Sequence, residues 1–210
     1  TILGSDSLRF RIATSESDTK NNGSAIINGR AYARGDSLHL SFLPSEFYLG
    51  GNRWDIPAGN EIVFSKQYLE INNLSMRSGL QQISAATVRN NQSINIDLTN
   101  LDLSQLNMIK SLERYDPDGR LSGTVNLSNI YTEPMILGEL TATGVTSGKE
   151  AIGKIHLAGR YNIKKKFALL QTGSGIFRST SSMTLSGAFG IDSTNAGKVR
   201  GNIQFNSAPL

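Results

Sequence analysis

Two histidines, His39 and His156, are the whole imidazole supply of a 210-residue chain that contains no cysteine. The missing thiols remove disulfides, a cysteine nucleophile and every thiolate metal site. Asp116, Asp118 and Gly119 open like a calcium loop, in which closely spaced carboxylates offer oxygen to a hard cation. Arg120 and Ser122 then stand where further ligands belong, and no Glu closes the loop, so a plain turn is expected. Gly173-Ser-Gly175 lacks the strand-to-helix frame of a nucleophile elbow. The basic run Lys164, Lys165, Lys166 has the charge to meet phosphates or lipid headgroups, but its flanks, Gly159-Arg-Tyr-Asn before and Phe167-Ala-Leu-Leu after, mark a hairpin tip. No arginine-aromatic platform for nucleic acid accompanies it. The single tryptophan, Trp54, lies between two strand candidates, where it reads as a corner anchor. Both histidines alternate with apolar neighbours and are expected to face solvent.

No catalytic machinery, metal site or cofactor site emerges from these residues, so the elements that would carry them become the informative level. Charged residues are only 18% of the chain, the net charge is +4, and polarity comes instead from 18 Asn, 25 Ser and 14 Thr beside 21 Gly and 5 Pro. That mixture suits short strands and turns better than packed helices. The longest apolar run, Phe167 to Leu170, is too short to span a membrane as a helix.

Apolar and polar residues alternate with a period of two in window after window. Leu38, Leu40 and Phe42 alternate with Ser37, His39 and Ser41; Ile94, Ile96 and Leu98 alternate with Asn95, Asp97 and Thr99. The same pattern joins Val125 to Leu127, Ile155 to Leu157, Met183 to Leu185 and Ile203 to Phe205. A pleated strand sends successive side chains to opposite faces, so each window predicts one aliphatic and one polar face. A recurring Gly-x-apolar-x-apolar pattern begins at Gly123, Gly138, Gly153 and Gly201 and predicts a corner or bulge near each strand start. One window reads as helix, about 103–114, with Leu103, Leu106, Ile109 and Leu112 spaced by three, Asp102 or Ser104 as cap, and the turn Asp116-Pro-Asp-Gly119 after it.

The expected fold class is mainly β: a long bent antiparallel sheet, a U-shaped groove, with one short helix covering one end. Nearly every strand carries one modest aliphatic face and few aromatics, so strands laid side by side would align those faces into a trough. At about 4.8 Å per strand, roughly fourteen strands give a trough of about 65 Å. A lining of Leu, Ile, Val and Phe with no polar group to fix a headgroup suits acyl chains. The residues expected to line it are Leu38, Leu40, Phe42, Ile94, Ile96, Leu98, Val125, Leu127, Ile155, Leu157, Leu185, Ile203 and Phe205.

Certain stretches resemble a known family. These are Phe47-Tyr-Leu-Gly-Gly-Asn-Arg-Trp54-Asp-Ile-Pro-Ala-Gly-Asn60-Glu-Ile-Val-Phe64, Ile71-Asn-Asn-Leu74, Gly79-Leu-Gln-Gln-Ile-Ser84, Leu98-Thr-Asn-Leu-Asp-Leu103, Gly119-Arg-Leu-Ser-Gly123 and Tyr131-Thr-Glu-Pro134-Met-Ile-Leu-Gly138. Together they resemble the TamB-like translocation and assembly module proteins of Bacteroidota, AsmA-like members of the bridge-like lipid carriers, best over about residues 36–145. The resemblance implies a tapering β-taco with an apolar inner face in the periplasm, within a protein anchored in the inner membrane by a segment outside this sequence. It implies passage of phospholipid between inner and outer membranes, support of outer-membrane protein assembly, and a TamA-like barrel-assembly partner. No catalytic residue and no cofactor is implied, and residues 1–210 are expected to form a single β-rich segment of that larger protein.

Two other classes of function fit the same strands. A chaperone-like scaffold would offer a sheet edge to nascent barrel strands by β-augmentation. A secreted carbohydrate-binding β sandwich would use Tyr48, Trp54 and Tyr68 as stacking rings.

Overall fold

Residues 7–14, 25–88, 93–190 and 199–207 are described by the structure, a computed structural model. The fold is mainly β, and the chain divides into two compact units, Thr1–Ile96 and Asp97–Leu210. The alternating windows became strands because each supplies one face to bury and one to wet.

The first unit holds β1 (Ser7–Thr14), β2 (Ala25–Arg34), β3 (Ser37–Phe42), β4 (Ser45–Leu49), β5 (Asn52–Ile56), β6 (Glu61–Phe64), β7 (Leu69–Asn72), β8 (Leu74–Ser78) and β9 (Gln81–Val88). Several of these are halves of interrupted strands: β3 and β4 both pair with β2, while β5 pairs with β4 and β6 with β3. An interruption strands backbone donors and acceptors, which must find partners when water is excluded. Side chains supply them. Ser45 Oγ accepts from the Asn28 N–H at 2.9 Å, and Asn60 accepts from the Phe42 N–H at 2.7 Å while its amide donates to the Phe42 carbonyl at 3.1 Å. Thr87 Oγ1 accepts from the Ile71 N–H at 2.7 Å in the same manner. The buried apolar residues of this unit are Trp54, Ile56, Ile62, Val63 and Ile94.

The unit boundary falls within β10 (Ser93–Asp102). A 3-10 segment, Leu103–Met108, follows, its first turn capped by Asp102, whose carboxylate accepts from the Ser104 N–H at 3.0 Å. The short helix expected at about 103–114 is present in two pieces: Ile109 adopts extended angles, φ −86° and ψ 107°, and α1 (Lys110–Glu113) is the α-helical part. The apolar spacing of three suits a 3-10 repeat as well as an α-helical face, so it did not distinguish the two.

The second unit continues with β11 (Pro117–Ser128), β12 (Met135–Ser147), β13 (Glu150–Asn162), β14 (Phe167–Leu170), β15 (Gly175–Phe177), β16 (Ser181–Gly190) and β17 (Val199–Ser207). Here the sheet is a meander of antiparallel neighbours. β14 and β15 form one interrupted strand between β13 and β16, and fully buried Ser174 closes the gap, accepting from the Ala158 N–H and donating to the Ala158 carbonyl, both at 3.0 Å. Lys164, Lys165 and Lys166 lie in the turn between β13 and β14, the hairpin tip their flanks predicted.

Candidate functional site

The register of β11 to β17 sorts the second unit's side chains onto two faces, since residues paired across antiparallel strands share a face. One row runs Leu121, Ala142, Ile155, Ile176, Met183, Phe205. Two residues along, Leu140 lies opposite Gly123 and Leu157, and Leu185 lies opposite Ile203. The next row is Val125, Gly138, Gly159, Leu170, Gly187, Gly201, and the one after is Leu127, Ile136, Tyr161, Ala168, Phe189. Across these successive rows no side chain is charged.

The opposite face is different in kind. Ser122, Thr141, His156, Gly175, Thr184 and Gln204 form one of its rows, and Asn126, Leu137, Arg160, Leu169, Ala188 and Arg200 another. Its residues range from buried Gly175 through half-buried Thr141 and His156 to exposed Arg160, Arg200 and Gln204. Among the described residues of the second unit the buried apolar ones are Ala142, Val145 and Ala158, all small or medium. Leu157 is 43% exposed, Ile203 61% and Phe205 74%, while Leu121, Val125, Leu127, Leu140, Ile155 and Leu185 are half-buried. Exposed apolar side chains sharing one face make it a candidate binding face.

The third row has its own geometry. Four of its six members are glycine, so a seam of two glycine pairs, Gly138 with Gly159 and Gly187 with Gly201, lies on either side of Leu170. At Gly187 φ is +129°, and a Cβ there would sit 2.3 Å from the Gly201 Cα and the Arg200 carbonyl oxygen. Only glycine fits that approach, and glycines of this kind allow a sheet to coil.

The first unit has an apolar face of its own. Leu40 lies between Ala31 and Ile62, with Leu8 beyond Ala31; Phe42 and Phe10 both pair with Gly29, and Leu38 pairs with Ala33 and Phe64. Leu38 is exposed, Leu40 and Phe42 are half-buried, and on β10 Ile96 is half-buried, as is Leu98 where that strand enters the second unit. Ile94 is 4% exposed and belongs to the packed interior of the first unit.

Other sequence candidates resolve into structural parts. His39 was expected to face solvent; instead its side chain is 13% exposed, its ring stacked on Tyr32 at 4.6 Å and its Nδ1 hydrogen-bonded to Glu61 at 3.0 Å. The polar face of a strand is not bare when its cross-strand neighbour is an aromatic ring. The Tyr32 hydroxyl donates to the same Glu61 oxygen at 3.0 Å. The hydrogen bond from His39, then that from Tyr32, holds the Glu61 carboxyl below its ordinary range, while burial, then the bond to Glu61, raises the Tyr32 phenol. His156 stands on the polar face with its Nδ1 3.0 Å from Thr141 Oγ1. Trp54 lies within β5, 1% exposed and stacked on Phe47, so its ring faces protein and offers no sugar-stacking surface. Asp116 Oδ1 accepts from Asn107 at 2.9 Å and Asp118 Oδ1 from the Gly119 N–H at 2.6 Å, both serving the turn.

No protein-family model matches the chain, and no curated protein and no solved structure matches it.

Proposed function

We propose that this chain is one segment of a periplasmic bridge-like lipid carrier of the TamB kind, whose apolar face receives phospholipid acyl chains travelling between inner and outer membranes. In this reading the full protein is anchored in the inner membrane, works with a TamA-like barrel-assembly protein and so supports outer-membrane protein assembly. The function is non-enzymatic. The observation that carries it is the run of uncharged register rows across β11 to β17, whose larger aliphatic side chains are half-buried or exposed.

The energetics of such a face favour passage over storage. Each methylene laid on it is worth about 0.8 kcal/mol wherever it rests, so an acyl chain exchanges one contact for an equivalent one as it moves. The headgroup would remain toward water, beyond the rim of the face.

A direct test places a photo-crosslinking amino acid at Leu157 and, separately, at His156 in the full-length protein in cells. These neighbours lie on opposite faces of β13, so lipid adducts are expected at Leu157 and not at His156. Equal yields, or none at Leu157 in a functional protein, overturn the reading. A scaffold for nascent barrel strands is the second reading, favoured by β17, where Arg200 to Ser207 are all exposed. Protein adducts from β17 in place of lipid adducts from Leu157 would select it.

A further inference from the structure

Beyond its apolar rows, the binding face of the second unit meets a guanidinium. Arg178 follows β15, and its side chain lies over Gly153, where a Cβ would come within 3.2 Å of the Arg178 Cγ. Its Nε donates to the Ile152 carbonyl at 3.1 Å, which fixes the plane of the group. That bond uses one donor and leaves the terminal nitrogens to serve a ligand. Among the described residues no carboxylate forms an ion pair with Arg178.

Arg178 also lines an open cavity of about 370 Å³ together with Ser181, Ser207, Ile176, Met183 and Phe205. The last three are the end of the row Leu121 to Phe205, so the cavity joins the acyl-binding face to a cation flanked by hydroxyls. Its volume falls in the range of small-molecule sites. A fixed guanidinium beside serine hydroxyls matches a phosphate, and the adjoining aliphatic wall excludes a ligand that is polar throughout.

We propose that this cavity seats the phosphate headgroup of an acylated lipid, with Arg178 holding the phosphate and Ile176, Met183 and Phe205 receiving the first methylenes of the chain. The site rests on the acyl-chain reading given above and refines it: the face is uniform along its rows and has one position at which a headgroup is read.

The test measures binding to the 210-residue chain by titration calorimetry below the micellar concentration of each probe. The probes are palmitoyl lysophosphatidate, which has chain and phosphate, monopalmitoylglycerol, which has the chain alone, and glycerol 3-phosphate, which has the phosphate alone. R178Q is expected to weaken lysophosphatidate by about tenfold or more and to leave monopalmitoylglycerol unchanged. K154Q removes the same charge from the opposite face and is expected to change neither; R178K restores part of the loss. The headgroup seat is overturned if R178Q and K154Q act alike, if R178Q weakens both lipids equally, or if glycerol 3-phosphate binds as tightly as the lysolipid. Absence of monopalmitoylglycerol binding to the unaltered chain would instead overturn the acyl-chain reading itself.

Discussion

At the scale of single residues, the chain uses polar side chains as backbone substitutes and keeps its few titratable clusters structural. Glu61 accepts from both Tyr32 and His39, and its carboxyl is held below the ordinary range by those bonds. A carboxyl depressed in the folded state adds stability that is fully present above the unfolded value, about 4.3, and is lost as pH falls through the folded value. E61Q is therefore expected to lower stability at neutral pH and to flatten its decline below about pH 4.3, measured by urea midpoints at pH 7 and in acid. An unchanged acid limb would separate the cluster from acid stability. Asp102 behaves alike on another element: burial opposes its charge, yet bonds from Ser104 and Arg120 outweigh burial and keep its carboxyl low. Trp54 shows the limits of this economy, since its buried indole N–H has no partner among the described residues. Its large buried surface and the stacked Phe47 outweigh that loss.

Elements are where sequence and structure are most directly comparable. Alternation located β3, β10, β11, β13, β16 and β17, because a period of two needs only local information. What it left hidden is register, which depends on partners far along the chain. Leu157, Leu185 and Ile203 could each be assigned a face of their own strand, but nothing local says that these faces coincide. The glycine pattern shows the same divide. Gly123 lies seventh in a twelve-residue strand and not near its start, and only Gly138 and Gly201 of the four fall on the seam. Gly159 and Gly187, which complete it, carried no signal because their significance lies in what they oppose. His39 was misjudged for a related reason: its cross-strand neighbour, Tyr32, is seven residues away through a turn. The seam makes a prediction at this scale. G187A must force a Cβ into the neighbouring strand at a positive φ and is expected to cost about 2 kcal/mol or more, whereas G138A meets only ordinary contacts, the nearest at 3.8 Å, and should stay within about 1 kcal/mol. Denaturant midpoints of the two variants decide it; equal losses would mean that the seam tolerates no methyl anywhere.

For the whole molecule, the distribution of apolar surface matters more than its amount. Among the described residues, its second unit buries no leucine, isoleucine or phenylalanine to the depth that Trp54 or Ile62 reaches in the first. In place of such burial, the larger aliphatic side chains of the second unit stay half-buried or exposed. Charge is therefore the sensitive perturbation. L157R sets a cation opposite Leu140 on the apolar face and is expected to reduce lipid retained by the purified full-length protein several-fold, because a desolvated charge costs far more than the lost methylenes return. K165S, at the hairpin tip, is expected to leave retention unchanged, with lipid extracted and quantified against protein as the measure. Equal retention in the two variants would detach the apolar face from lipid handling.

The glycine seam has one further consequence for motion. A flexible chain gliding over leucines rides a corrugated surface, dropping into hollows between side chains and climbing over methyl groups. Where Gly138 meets Gly159 and Gly187 meets Gly201, the relief flattens to peptide planes, and Leu170 stands between the two pairs as a single rib. The seam is then two smooth steps parted by one side chain, each running across the strands and not along them.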